Sequence, residues 1–289
     1  MKNYILINQK FSLASDATIS IYERACRFGD GIFESCKIID GIIYDYEAHE
    51  ARIIRGLKAL KISADIKNLK NDSYHLIQKN QLKNGTLRIS ISRGIGSIGY
   101  LPTHETAALV IVETTAAQNS LPEKIKLGIS SIKVAKQQEF LQKCKTMQGL
   151  NYILAKIAAR EKNNFDDVML SHEGFVSECS SANIFWIKNH KIFTPSKKCD
   201  MLFGTIREKL LQKFPQKINA VEASVTRLVG ADEIFITNAN LLLLPIDELI
   251  FGKNNEKKIK LKKTQSSQIL QWLQDDIEKY KLEKCHDKK

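Results

Sequence analysis

The stretch Ala116-Ala-Gln-Asn-Ser-Leu-Pro122, polar and closed by proline, divides this chain into two blocks, each mixing strand-like with helical runs. Ahead of it, Tyr4–Asn8 and Gly31–Ile39 read as strands, and Asp40-Gly41 is a two-residue hairpin signal leading into Ile42–Tyr44. Apolar residues at Ala48, Ala51, Ile54, Leu57 and Leu60 recur at helical spacing, and Leu69–Asn80 reads as a second helix. Gly85–Arg93 alternates as a half-buried strand, with Ala107–Thr114 as its neighbour. Beyond the break, Ile125–Val134 is strand-like, while Leu150–Lys162 and Ile206–Phe214 read as helices. Val168–Leu170, Phe185–Ile187, Lys191–Thr194 and Glu233–Thr237 supply further strands. The pattern predicts an α+β chain of two domains: a small one over residues 1–115, a linker over 116–122, and a larger one over 123–289.

A chain of 289 residues accommodates two modest cores. No apolar run approaches the ~18 residues of a membrane span, and Met1–Asn8 lacks the apolar region of a signal peptide. A cytoplasmic protein without membrane contact is therefore expected. The six cysteines show neither CxxC pairs nor a His/Cys cluster, so no metal site is predicted and reduced thiols are. The net charge of +12 admits a nucleic-acid partner, but its densest run, Lys253–Lys263, has no interleaved aromatic residue on which a base would stack. That run and Lys288-Lys289 read instead as a solvated loop and tail, beside a site for a small anionic substrate.

Chemistry concentrates at Lys145, just ahead of a helical run, and at Glu178, which opens the turn Glu178-Cys-Ser-Ser-Ala-Asn183. A lysine that joins an aldehyde, and a carboxylate that keeps a pyridine nitrogen protonated, are what pyridoxal phosphate chemistry needs. Taken singly, each has a plainer reading: a surface lysine beside Cys144, and an exposed turn glutamate after Gly174. Ser180, Ser181 and Asn183 either orient a bound ring or satisfy the turn's own backbone. Arg52 offers a planar fork to a phosphate, or else a helix-surface salt bridge to Glu47 or Glu50. Gly204-Thr205-Ile206 opens a helix whose free N–H groups suit a dianion, and Thr237 and Asn238 are candidates for a third set of donors.

The motifs and their order resemble the fold-type IV, or class IV, aminotransferases that use pyridoxal phosphate. Arg27-Phe-Gly-Asp-Gly-Ile-Phe-Glu34 resembles the early FGDG(V/I)FE signature, and His49-Glu-Ala-Arg52-Ile53 the H-x-x-R-L element. Lys145, Glu178 and Asn183 follow in register, then Leu202-Phe-Gly-Thr-Ile-Arg207 and Asp232-Glu-Ile-Phe-Ile-Thr-Asn238. The resemblance implies a two-domain fold like that of the D-amino-acid aminotransferases, a site between the domains, a homodimer, and bound pyridoxal 5'-phosphate. It makes Lys145 catalytic and gives the cofactor Arg52, Glu178, Ser181, Asn183, Thr205, Ile206 and Asn238.

Within that family, Ile89–Tyr100 resembles the ISRG-x-G-x-x-GY segment of aminodeoxychorismate lyase, with Ile98 and Tyr100 where the D-amino-acid enzymes carry arginine and histidine. Ala182-Asn-Ile-Phe-Trp186 resembles the lyase's ANLFW. Two departures stand out: Gly204-Thr-Ile-Arg replaces Gly-Ile-Thr-Arg, and Gln148-Gly149 replaces an Asn-Arg pair after the lysine. The missing arginine leaves Arg93 or Arg27 to take a substrate carboxylate, with Phe33, Tyr100 and Gln148 also facing substrate. The resemblance implies a lyase giving p-aminobenzoate and pyruvate from 4-amino-4-deoxychorismate, in folate synthesis. Behind it stands an aminotransferase for branched-chain or other amino acids. A non-catalytic basic binding protein is opposed by the intact Lys145, Glu178 and Arg52.

Overall fold

A computed structural model of the chain describes residues 3–96, 98–102, 107–117, 121–136, 138–252 and 257–286, with residues 285 and 286 described by backbone alone. The chain forms two compact units. Unit 1 comprises Met1–Asn119, Lys143–Gln148 and Ile277–Lys289, and unit 2 comprises Ser120–Gln142 and Gly149–Asp276.

Unit 1 runs β1 (Tyr4–Ile7), β2 (Lys10–Leu13), α1 (Arg24–Phe28), β3 (Gly31–Ile39), β4 (Ile42–Ile43), α2 (Tyr46–Leu60), α3 (Leu69–Lys79), β5 (Gly85–Ser92) and β6 (Leu109–Ala116). Its six strands form one antiparallel sheet in the order β2-β1-β6-β5-β3-β4. Burial alternates along β3: Ile32, Glu34, Cys36 and Ile38 are buried, while Phe33, Ser35 and Lys37 are half-buried. The core gathers Leu6, Ile38, Leu87, Ile89 and Val112 from the strands with Ile53, Leu57, Leu76 and Ile77 from α2 and α3.

Unit 2 runs β7 (Lys126–Ile129), α4 (Glu139–Gln142), α5 (Leu150–Glu161), β8 (Asp166–Leu170), β9 (Val176–Cys179), β10 (Asn183–Lys188), β11 (Lys191–Pro195), α6 (Thr205–Lys213), β12 (Ile218–Val221), α7 (Val225–Val229), β13 (Glu233–Asn238), β14 (Leu242–Pro245), β15 (Glu248–Phe251) and β16 (Lys257–Lys260). A last helix, α8, spans Thr264–His286. The sheet is mixed, in the order β12-β11-β10-β9-β8-β7-β15-β16, with β13 also pairing β10 and β14. Trp186, Ile184, Ile234, Ile236 and Val168 form its core, and Phe185 stacks on Phe235 at 4.9 Å.

Three expectations change. Lys145, placed by the sequence in the larger domain, belongs with unit 1. Its segment lies along β3: the Phe33 amide donates to the Lys145 carbonyl at 2.8 Å, and the Met147 amide to the Gly31 carbonyl at 3.0 Å. Gly31 permits this approach, because a Cβ there would stand 2.8 Å from Met147 Sδ and 2.6 Å from the Ile91 carbonyl oxygen. Second, the Lys-rich run read as a loop contains strand β16, paired with β15; residues 253–256 of that run, the terminal Lys288-Lys289 and linker residues 118–120 lie outside the described residues. Third, the expected strand over Ile125–Val134 is shorter, Lys126–Ile129. No helix among the described residues is long and apolar enough to cross a membrane.

Candidate active site

The sequence-predicted residues gather in two groups, one in each unit. In unit 1 the Lys145 amine lies 4.7 Å from the centre of the Phe33 ring, and the guanidinium of Arg88 stands 4.1 Å from the same ring. Burial pushes the Lys145 amine down to about 8, the Arg52 and Arg88 guanidinium groups act in the same direction, and the Glu34 carboxylate opposes them. A lysine so shifted is neutral far more often at neutral pH than one in water, which is the condition for nucleophilic work.

Arg52 is not a surface residue paired with Glu47 or Glu50. It is buried, and its fork grips Glu34 through Nε at 2.6 Å and Nη2 at 2.7 Å. His49 Nδ1 lies 2.7 Å from the same carboxylate. Burial alone would raise the Glu34 carboxyl, but Arg52 and His49 hold it well below the usual carboxylate range. The helical spacing of His49 and Arg52 puts both on the buried side of α2, facing β3. Glu34 and His49, quoted in the sequence only as parts of motifs, are thus the partners that fix Arg52.

Arg93, one of the two arginines expected at a substrate carboxylate, is engaged within the protein. Its Nε and Nη2 bond both oxygens of Asp30 at 2.8 and 3.0 Å, and its Nη1 and Nη2 reach the carbonyls of Lys61 and Leu60. A guanidinium so committed is a structural clamp. Arg27 is exposed, stacked over Tyr22 at 5.1 Å, and Gln148 is exposed, its amide 3.5 Å from the Phe28 carbonyl. The loop carrying Tyr100 is held by its backbone, through Arg24 to the carbonyls of Gly99 and Tyr100. Its side chains Ile95, Ile98, Tyr100 and Leu101 stay exposed. Arg88, which no motif singles out, stands half-exposed beside Phe33, on the face that strand alternation from Ile89 assigns it.

In unit 2, Glu178, Asn183 and Thr237 form one row across β9, β10 and β13, because Asn183 is in register with both others. Glu178 is buried rather than an exposed turn residue. Its Oε1 accepts from the Tyr152 hydroxyl at 2.8 Å and from the Leu202 amide at 3.2 Å. Asn183 donates to the Leu202 carbonyl at 2.7 Å. Burial and the Glu178 charge together push the Tyr152 phenol up, so it stays a donor. Tyr152, the polar member of α5 on this carboxylate, carried no separate signal in the sequence.

Gly204 then opens α6. A Cβ at Gly204 would lie 2.1 Å from Asn183 Oδ1, so glycine is required by the close approach. Thr205 and Ile206 are buried, and their amides belong to the first turn, which a helix leaves without internal partners. The Thr237 hydroxyl is buried without a hydrogen-bond partner. Asn238, expected beside it, is otherwise engaged: its amide donates to the Ser181 carbonyl at 2.9 Å, and its oxygen accepts from the amides of Asn240 and Leu241. Ser181 is exposed with its hydroxyl turned toward Asp166. Asp166 also takes both the amide and the hydroxyl of Ser180, so the turn is braced by the protein's own side chains.

Comparison with known proteins follows the same lines. The family described as amino-transferase class IV matches residues 31–249. A putative branched-chain-amino-acid aminotransferase of Methanocaldococcus jannaschii is 28% identical over 266 residues, 88% of this chain and 91% of that protein. A D-alanine aminotransferase of Bacillus licheniformis is 27% identical over 85% of this chain and 88% of its own. An aminodeoxychorismate lyase of Bacillus subtilis is 25% identical over 87% and 89%. Among solved structures, the Escherichia coli branched-chain amino acid aminotransferase superposes with a TM-score of 0.79 at 21% identity, covering 86% of this chain and 87% of that one.

Proposed function

The chain belongs to the class IV aminotransferase family and is a pyridoxal-phosphate enzyme, and within that family we propose that it is a lyase converting 4-amino-4-deoxychorismate to p-aminobenzoate and pyruvate. The observation that carries this reading is the loop from Arg93 to Tyr100. It offers exposed Ile95, Ile98 and Tyr100 to a ring substrate, and its one arginine is locked to Asp30. The D-amino-acid aminotransferases carry arginine and histidine in such a loop, so Ile98 and Tyr100 argue against that activity.

The residues present fit the cofactor. The orphaned Thr237 hydroxyl and the first-turn amides of Thr205 and Ile206 are donors for a phosphate, and Glu178 is an ionised partner for a ring nitrogen. When bound, the cofactor supplies a pyridine ring that withdraws the electron pair left at the substrate's amine-bearing carbon. Lys145 takes the proton from that carbon and later returns a proton to the departing enolpyruvate. Burial brings its amine down to about 8, closer to neutrality than an ordinary lysine, which suits it to both directions. Glu178, fixed by Tyr152 and Leu202, would hold the ring nitrogen and favour its protonated form. Arg88 takes a substrate carboxylate, with Phe33 as its platform. Aromatisation of the product ring makes the elimination downhill.

A second reading, an aminotransferase acting on branched-chain or other amino acids, is favoured by Gln148 and Gly149 and by the M. jannaschii relative. The deciding experiment supplies aminodeoxychorismate with no 2-oxo acid and follows p-aminobenzoate and pyruvate. Many turnovers support the lyase. No product, together with exchange between branched-chain amino acids and 2-oxoglutarate, establishes the transaminase. We further propose a cytoplasmic homodimer: Leu150, Ile153, Leu154 and Ile157 form an exposed apolar stripe on α5 at helical spacing. Sedimentation showing a monomer at micromolar concentration would refute it.

A further inference from the structure

We infer that Tyr280, near the end of α8, is a positioning residue whose hydroxyl completes the N-terminus of α2, the helix that carries His49 and Arg52. The inference rests on the reading of Arg52 as part of the cofactor site.

The first amides of a helix have no partner within it, and an N-terminal residue of extended backbone usually supplies one. Here the residue before α2, Asp45, has φ 55° and ψ 39°, the left-handed region, and makes no capping bond with its side chain. The Tyr46 amide instead donates to Tyr280 Oη at 3.3 Å. The same hydroxyl donates to Glu47 Oε2 at 2.7 Å. One phenol thus accepts from the first residue of the helix and donates to the second.

The surrounding contacts hold that phenol in place. Its ring meets Tyr44 edge-on at 5.5 Å. Lys281 pairs with Asp40 at the β3–β4 turn at 2.6 Å, and Lys284 pairs with Glu47 at 3.0 Å. Lys70 of α3 reaches Glu47 from the other side at 3.0 Å. Burial works against the Glu47 charge, but Tyr280, Lys284 and Lys70 hold its carboxyl down at about 2. An anion in the first turn also suits the helix dipole.

Arg52 lies six residues beyond Tyr46, about 9 Å along the axis, and His49 sits between them. Fraying from the start of α2 would reach His49 first and then the Arg52–Glu34 fork. The basic end of the chain, through Tyr280, therefore keeps the arginine's helix wound.

The test uses the full-length Tyr280→Phe variant, which keeps the ring on Tyr44 and removes only the hydroxyl. Amide exchange of the segment Tyr46–Ala48 should accelerate about fivefold, the usual worth of a cap, with α3 unchanged. Pyridoxal 5'-phosphate, titrated by absorbance into the stripped protein, should bind several-fold more weakly. Lys281→Met, which breaks the Asp40 pair but spares the hydroxyl, should leave exchange at Tyr46 within about twofold of the parent. Unchanged exchange in Tyr280→Phe, or faster exchange with undiminished cofactor binding, overturns the inference. Neither readout uses turnover, so a failed lyase assay leaves it standing. If Arg52→Met binds the cofactor as tightly as the parent, it is the reading of Arg52 that fails.

Discussion

The Tyr152 hydroxyl, on α5, donates to Glu178 Oε1, on β9, across 2.8 Å. A carboxylate with a donor on one oxygen is fixed in orientation, and the phenol's raised ionisation keeps the donor protonated. Glu178→Gln should keep the cofactor bound and slow turnover by about 100-fold or more, since a neutral amide no longer favours a protonated partner. Tyr152→Phe should cost far less, about tenfold. Equal rates in Glu178→Gln and the parent, measured at saturating cofactor, would remove Glu178 from the chemistry.

Lys145 should be the most readily deprotonated lysine among the described residues. With its amine at about 8, about 10% is neutral at pH 7, some 300-fold more than for a lysine at its ordinary value. Acylation of the cofactor-free protein, read by peptide mass spectrometry, should titrate at Lys145 with a midpoint near pH 8. Borohydride should fix the cofactor on the same peptide, and a label on Lys143 or Lys156 would contradict the assignment.

The same shift sets a sign for stability. Between about pH 8 and the ordinary lysine range near 10.5, the unfolded chain holds a proton on Lys145 that the folded chain has released. Stability from this group therefore rises with pH across that window, and the penalty is complete below it. Lys145→Met should flatten that segment of a denaturation-midpoint-against-pH curve. An unaltered slope would show that the amine is not buried.

Gly204→Ala should destabilise unit 2 by about 1–3 kcal/mol. Its backbone, at φ −69°, suits any residue, so the cost is steric, from Asn183 Oδ1. Displacing Asn183 also frees the Leu202 peptide that braces Glu178, so cofactor retention should fall as well. A thermal midpoint equal to the parent's would show that Asn183 moves aside freely.

Arg88 and Arg93 should part company on mutation. Arg88→Met should raise KM about tenfold or more for a carboxylate-bearing substrate while leaving the thermal midpoint nearly unchanged, since its Glu113 pair is exposed and long at 3.6 Å. Arg93→Met should lower stability by about 2–3 kcal/mol through loss of the Asp30 bonds. The reverse pattern would restore Arg93 as the substrate's partner.

Local pattern made much of this legible. The period-2 alternation of Gly85–Ser92 appears as β5, and the helical spacing from Ala48 to Leu60 as α2, since each buries the face its apolar residues mark. The motif residues Lys145, Arg52, Glu178 and Asn183 emerge in buried or half-buried positions. Pairings between distant residues were not legible. Arg93 and Asp30, 63 positions apart, and Tyr280 and Tyr46, 234 apart, meet only through the fold. The Asn238–Ser181 bond was not legible either, because polar turn residues carry the same letters whether they bind a ligand or their own backbone. The division of the chain failed at Lys143–Gln148 because backbone bonds to β3, rather than composition, decide where that segment belongs.

Strand β16 is, among the described residues, one of the outer strands of its sheet, and Lys257, Lys258 and Lys260 stand exposed along it. An outer strand presents an unfilled ladder of amides and carbonyls that any extended polypeptide can join. A row of ammonium groups makes that docking repulsive between like chains, and each newcomer would bring the same charges. Part of this protein's surplus of lysine is thus placed where its charge opposes cross-β growth, an insulation that losing those charges would weaken.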